Sequence, residues 1–92
     1  MIAITRYQVP LSGASEFEGS ARTVLEGLAE CPGYRSGRLG RTVDDPTLWA
    51  LVTEWEGAGF YRRGIGQVRM ILIPLSTLAV DEPGAYEIVD SR

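Results

Sequence analysis

Histidine is absent from these 92 residues, and cysteine occurs once, at Cys31. Without histidine there is no Ser-His or Cys-His nucleophile pair, no zinc site with a histidine ligand and no histidine-ligated haem. A single thiol rules out an intrachain disulfide. With no histidine to activate it, Cys31 reads as a structural residue at a helix end. Acid–base work near neutral pH is left to Asp, Glu, Tyr, Arg or that thiol. Basic residues are also short: nine against twelve acids, a formal charge of -3. Nucleic acid and anionic membrane both require a basic face, so neither is an expected partner. No apolar run approaches the roughly 20 residues of a membrane span. The opening MIAITRYQVP has no basic segment followed by a signal-type apolar stretch. A cytoplasmic location is therefore expected. Carboxylate spacing of the kind that holds a metal is missing too, and neither metal nor cofactor is expected.

What is present is an ordinary globular composition, 45 % hydrophobic and 23 % charged, over a length that suits one domain spanning 1–92. A chain this short buries only about 60 to 65 % of its unfolded surface, so a lone core would be marginal. The stretch that organises the chain is TLWALVTEWEGAGFY, Thr47 to Tyr61. Its first half reads as a strand apolar on both faces: Leu48, Ala50 and Val52 on one, Trp49, Leu51 and Trp55 on the other. Such a strand must be covered on both sides. Helices of the same chain can cover one face. The other, which carries both tryptophans in this reading, needs a partner subunit, a ligand or both.

Around that strand the chain divides readily. Residues 2–9 read as a strand ending at Pro10, with Ile2, Ile4, Arg6 and Gln8 on one face. Residues 13–30 read as a helix with Phe17, Ala21, Val24, Leu25 and Leu28 as its apolar stripe, a capping box at Ser15 and Glu18 or an equally good cap at Ser12, and a stop at Pro32-Gly33. Residues 34–43 read as a second strand, in which Gly37 and Gly40 hint at a bulge. Asp44 to Thr47 make a turn into a hairpin with Leu48–Glu56. A four-residue loop would put Tyr34, Ser36, Arg38 and Thr42 on the tryptophan face. Another loop length would substitute Arg35, Leu39, Arg41 and Val43. A short helical stretch over 58–63, broken by Gly64 and Gly66, precedes an apolar run over 67–73 that fits either helix or strand. Residues 76–80 read as the fourth main strand and 85–89 as a short final one.

The resulting order is ferredoxin-like βαββαβ, an α+β fold with an antiparallel sheet and both helices on one face. An open face bearing Ile2, Ile4, Trp49, Leu51 and Trp55 is too apolar for water. Two such sheets facing one another would make a homodimer.

The segments CPGYRSGRLGR at 31–41, DDPTLWALVTEWE at 44–56 and PLSTLAVDEPGAYE at 74–87, with the spacing of Trp55 to Tyr61, resemble the antibiotic biosynthesis monooxygenase-like family of dimeric α+β barrel proteins. The resemblance implies a cofactor-independent monooxygenase-like protein acting on a small aromatic or polyphenolic compound. It implies that Trp55 is the family tryptophan closing the third strand and that Tyr61 is a ligand-contacting tyrosine. The oxygenase branch carries an asparagine four residues before the tryptophan; that position here is Leu51. The haem-degrading branch needs a histidine that this chain lacks.

In the enzyme reading an electron-rich ring stacks on Trp49 or Trp55. Tyr61 and Arg38 or Arg6 then bind its oxygens and favour the phenolate, which can reduce dioxygen unaided. Trp55, Tyr61 and Arg38 are thus the candidate catalytic residues. Arg6, Trp49 and Leu51 are the candidate ligand contacts, Leu51 as an apolar floor. The alternative is a non-catalytic dimeric ligand-binding or accessory protein of the same fold. An isomerase or cyclase working through Asp or Glu is a third reading.

Overall fold

Period-two patterning builds three long strands, β1 (Ile2–Gln8), β2 (Tyr34–Arg41) and β3 (Leu48–Trp55). The computed structural model describes residues 1–92 throughout. A two-residue strand β4 (Ala85–Tyr86) completes an antiparallel sheet of order β2-β3-β1-β4. This is the ferredoxin-like order. One face of the sheet is covered by α1 (Ala14–Ala29), α2 (Ala58–Gln67) and the single turn α3 (Arg69–Leu72). In α1 the buried residues are Phe17, Ala21, Val24 and Leu28, the stripe expected from helical spacing.

Which face the helices cover is the main departure from expectation. The residues of β3 that are buried are Trp49, Leu51, Thr53 and Trp55; Leu48, Ala50, Val52 and Glu54 are only half-buried. Both tryptophans therefore lie in the core between sheet and helices, not on the open face. The reason is register. Ile2 pairs with Glu54, Ile4 with Val52 and Arg6 with Ala50, while Ala3, Thr5 and Tyr7 pair with Thr53, Leu51 and Trp49. Paired residues share a face. The open face is thus built from Ile2, Ile4, Leu48, Ala50 and Val52, with Arg6 and Gln8 at one end.

The hairpin differs in the same sense. Thr42 bonds Leu48 through both its backbone N–H and its hydroxyl, at 2.9 and 2.8 Å. Five residues, 43–47, therefore form the loop, not four. Leu39 and Arg41 face the tryptophans opposite Leu51 and Trp49, and Arg38 faces the other way opposite Val52. A bulge between Tyr34 and Ser36 returns Tyr34 to the Trp55 side.

Other elements shift for local reasons. α1 starts at Ala14 with no side-chain cap, so Ser15 and Glu18 form no capping box. α2 runs through Gly64, because packing on Trp55 outweighs glycine's weak helix propensity. The 76–80 segment is not a regular strand. Its backbone N–H groups at Ser76, Leu78 and Ala79 are consumed in turns. Only single bonds tie it to β1, Gln8 N–H to Leu78 O and Val80 N–H to Arg6 O, both 2.9 Å. β4 takes the edge position instead. Gly33 has φ 84°, and a Cβ there would collide with the Phe60 ring, so glycine is required where the chain leaves α1.

Candidate functional site

Trp55 closes one end of the core. It is fully buried, edge-on to Tyr34 at 5.4 Å between ring centres and to Tyr61 at 5.9 Å. Its indole N–H donates to the Thr53 hydroxyl at 2.8 Å. Gly64 of α2 rests on the ring so closely that a Cβ would come within 2.6 Å of it. Trp55 is therefore satisfied and enclosed on every side. Trp49, six residues earlier, stands roughly 20 Å away along the strand. Phe17 packs edge-on against it at 5.3 Å, and the Arg41 guanidinium lies 4.8 Å above its ring centre. Its indole N–H is buried with no acceptor.

Between the two tryptophans lies a small internal cavity of about 20 Å³. Leu51 and Thr53 of β3 and Thr5 and Tyr7 of β1 form its floor. Tyr61 and Ile65 of α2, Leu72 of α3, and Val24 and Leu28 of α1 close it above. The space holds about one water-sized molecule. Leu51 and Tyr61 line it. Trp55 does not; it stands behind Tyr61 and holds that ring in place. No charged side chain is among its walls.

Two phenols, Tyr7 and Tyr61, converge on this cavity. Burial pushes both hydroxyls above their ordinary pKa, and the neighbouring Tyr61 pushes Tyr7 further in the same direction. Neither hydroxyl is held by a hydrogen bond within the chain. At neutral pH both are protonated, so they can donate to a ligand oxygen but cannot take up its proton.

The two arginines proposed to meet the ligand are elsewhere. Arg6 is exposed on the open face, where its Nε donates to Glu82 at 2.7 Å. Arg38 starts from that same open face. Neither reaches the Tyr7–Tyr61 cavity, because strand alternation sends them through the opposite side of the sheet. Trp49 and Trp55 are likewise too far apart to sandwich one small ring. Tyr7 and Thr5 were not anticipated as site residues. The signal for them was Gln8 and Arg6: two polar residues on one face of β1 mark the opposite face, with Tyr7, as the inner one.

Cys31 is half-buried, and its thiol donates to the Gly27 carbonyl at 3.4 Å. No group of three or more His, Cys, Asp or Glu residues is placed to hold a metal ion. No helix is long and apolar enough to cross a membrane.

The antibiotic biosynthesis monooxygenase family model matches residues 1–59. The chain belongs to that family. No curated protein sequence matches it. Its fold is similar to that of a mutant form of SnoaB, a cofactor-independent oxygenase from Streptomyces nogalater, at 21 % identity and a TM-score of 0.85 over 98 % of this chain and 93 % of that one. A candidate antibiotic biosynthesis monooxygenase from Deinococcus radiodurans gives the same TM-score, 0.85, at 14 % identity over 99 % and 94 % of the two chains. A conserved protein from Methanosarcina mazei gives 0.77 at 17 % identity over 91 % and 84 %. At these identities the likeness speaks for the fold. The family match extends through β3 and Gly57–Gly59, so it includes Trp55 and stops short of Tyr61.

Proposed function

We propose that this member of the family is a cofactor-independent monooxygenase-like enzyme for a small aromatic or polyphenolic compound, acting as a homodimer. The observation that carries the reading is the pair of protonated phenols, Tyr7 and Tyr61, on one small cavity whose other walls are apolar but for Thr5 and Thr53. A ligand oxygen accepting from both would gain two hydrogen bonds in a largely apolar surrounding. Membership of the family and the fold shared with SnoaB support the same class.

In this reading the substrate carries its own reducing power. A ring methylene flanked by phenolic carbons loses two hydrogens, dioxygen inserts one atom there as a carbonyl, and the other atom leaves as water. Tyr7 and Tyr61 donate to the substrate oxygen on which negative charge develops as the first proton departs. Leu51, Val24 and Leu28 exclude water around it. Trp55 positions Tyr61 from behind. At about 20 Å³ the cavity admits a ring only when α2 and α3 move off the sheet. The open sheet face, Ile2, Ile4, Ala50 and Val52, supports a second copy as its cover.

Oxygen uptake with anthrone- and hydroquinone-type compounds tests the activity. Uptake that falls in Tyr61→Phe and Tyr7→Phe supports it, and binding without uptake across the panel sinks it. Analytical ultracentrifugation tests the dimer; a clean monomer at micromolar concentration would remove it. The non-catalytic ligand-binding or accessory reading is favoured by one specific feature. Leu51 supplies no amide, and no charged group touches the cavity, so nothing there is placed to take the substrate's proton.

A further inference from the structure

Outside the core site, one surface feature concentrates charge against the trend of the whole molecule. The chain carries a formal charge of -3, yet residues 31–43 contain three arginines and no acid. β2 is an edge strand, and an open groove of about 580 Å³ runs between it and α1. Arg38 and Arg41 of β2 line it, with Arg22 and Glu18 of α1. Glu18 is already engaged, accepting from Arg22 Nε and Nη2 at 3.0 and 2.7 Å. Arg38 has no acidic partner in the chain. Arg41 spends only its Nε, which donates to the Pro46 carbonyl at 2.7 Å. The guanidinium nitrogens beyond it remain available. Arg41 thus offers the groove an uncompensated cation from the helix side, and Arg38, which leaves β2 on the open face, offers a second at the rim across the strand edge.

Its floor is aromatic and apolar. Leu25, Leu39 and Trp49 line the same groove. Trp49 is 5 % exposed, carries Arg41 over its ring and leaves its indole N–H without an acceptor. An Arg stacked on an indole is a plane on which a second flat group can lie, and the unpartnered N–H is a donor still without its acceptor. Trp55, whose N–H is bonded to Thr53, offers neither.

We propose that the groove between α1 and β2 is a second ligand site, taking a small planar aromatic carboxylate. Its carboxylate meets the outer guanidinium nitrogens of Arg41, with Arg38 at the groove's rim across the edge of β2, and its ring lies against Leu25, Leu39 and the edge of Trp49. This site is separate from the Tyr7–Tyr61 cavity and does not depend on the activity proposed there.

The test is a titration of the uniformly ¹⁵N-labelled full chain with salicylate, followed through the two indole N–H signals, which Trp49→Phe assigns. Saturable movement of the Trp49 signal below about 10 mM, with the Trp55 signal still, is the expected result. Phenol should bind about tenfold more weakly, since it lacks the anion. The Arg38→Gln, Arg41→Gln double variant should weaken salicylate about tenfold or more while leaving the Trp55 signal in place as the check of fold. Arg38→Gln alone, which leaves Arg41 on the Trp49 ring, should weaken it by a smaller factor. Movement at Trp55 instead of Trp49, no saturable movement in that range, or unchanged affinity in the double variant would each overturn the proposal. Inorganic phosphate binding as tightly as salicylate would overturn the aromatic part of it.

Discussion

The two tryptophans of β3 share a face and a strand but live in opposite circumstances. Trp55 is fully buried, bonded through its indole N–H to Thr53, flanked by Tyr34 and Tyr61, and pressed by Gly64. Trp49 is nearly as buried, yet its N–H has no acceptor, and its ring is covered by a mobile kind of side chain, the guanidinium of Arg41. A buried donor that is satisfied stabilises the fold. One that is left over costs stability and is a place where a ligand can bind. The comparison therefore separates a ring that is enclosed and bonded, Trp55, from one whose donor is unmet, Trp49, which residue type and spacing alone could not do.

The strongest way to break that comparison is to remove each ring. Trp55→Ala should cost about 3 to 5 kcal/mol of stability in urea unfolding, because a large enclosed ring leaves a cavity. Trp49→Ala should cost less, since part of its surroundings is an open groove; equal costs would erase the distinction. Gly64→Ala comes next. Its Cβ would meet the Trp55 ring at 2.6 Å, and overpacking there should cost about 1 to 3 kcal/mol while leaving Trp49 fluorescence unchanged.

A finer test keeps the ring and removes only the N–H. Trp55→Phe should destabilise more than Trp49→Phe by about 1 kcal/mol, because only the first breaks a hydrogen bond. The reverse order in thermal unfolding would show that Trp49 has a partner after all. Tyr61→Phe, next to Trp55, should scarcely move stability, since its hydroxyl is unbonded within the chain. The same change should weaken a phenolic ligand of the core cavity about fivefold, or roughly 1 kcal/mol, by calorimetry.

The smallest effect is one of pH. Tyr7 and Tyr61 have pKa values raised in the folded chain, chiefly by burial. Above about pH 10 the unfolded chain loses these protons while the folded one retains them, so the stability they contribute is present below that pH and is lost as pH rises. Tyr7→Phe with Tyr61→Phe should flatten this alkaline decline in denaturation midpoints. An unaltered slope would mean that the phenols are not sealed in the core.

Much of this arrangement was legible in advance. The β1–α1–β2–β3 order, the stripe of α1, the antiparallel hairpin and the family resemblance all follow from local patterns of apolar residues, Pro-Gly and Asp-Pro turns. Leu51 and Tyr61 line one cavity. Arg38 and Arg6 were expected there and are not, because both expectations rested on strand register. The hairpin loop has five residues and not four, and one residue of slip moves every side chain of β2 to the other face. The 76–80 segment has the composition of a strand, but its backbone groups are taken by turns following Pro74, which only the folded chain reveals.

The sequence by itself determined the elements, the aromatic character of β3 and the lack of any histidine-based chemistry, because these depend on residue identity and short-range periodicity. It also contained the arginine cluster of β2, without saying what that cluster would face. Only the tertiary structure decided which side of β3 the helices cover. Leu48, Ala50 and Val52 make the second face of β3 apolar as well, so the pattern of that strand does not by itself name the face the helices cover. Pairing with β1 does: Arg6 and Gln8 cannot be buried without partners, and they force Tyr7, and with it both tryptophans, to the helix side.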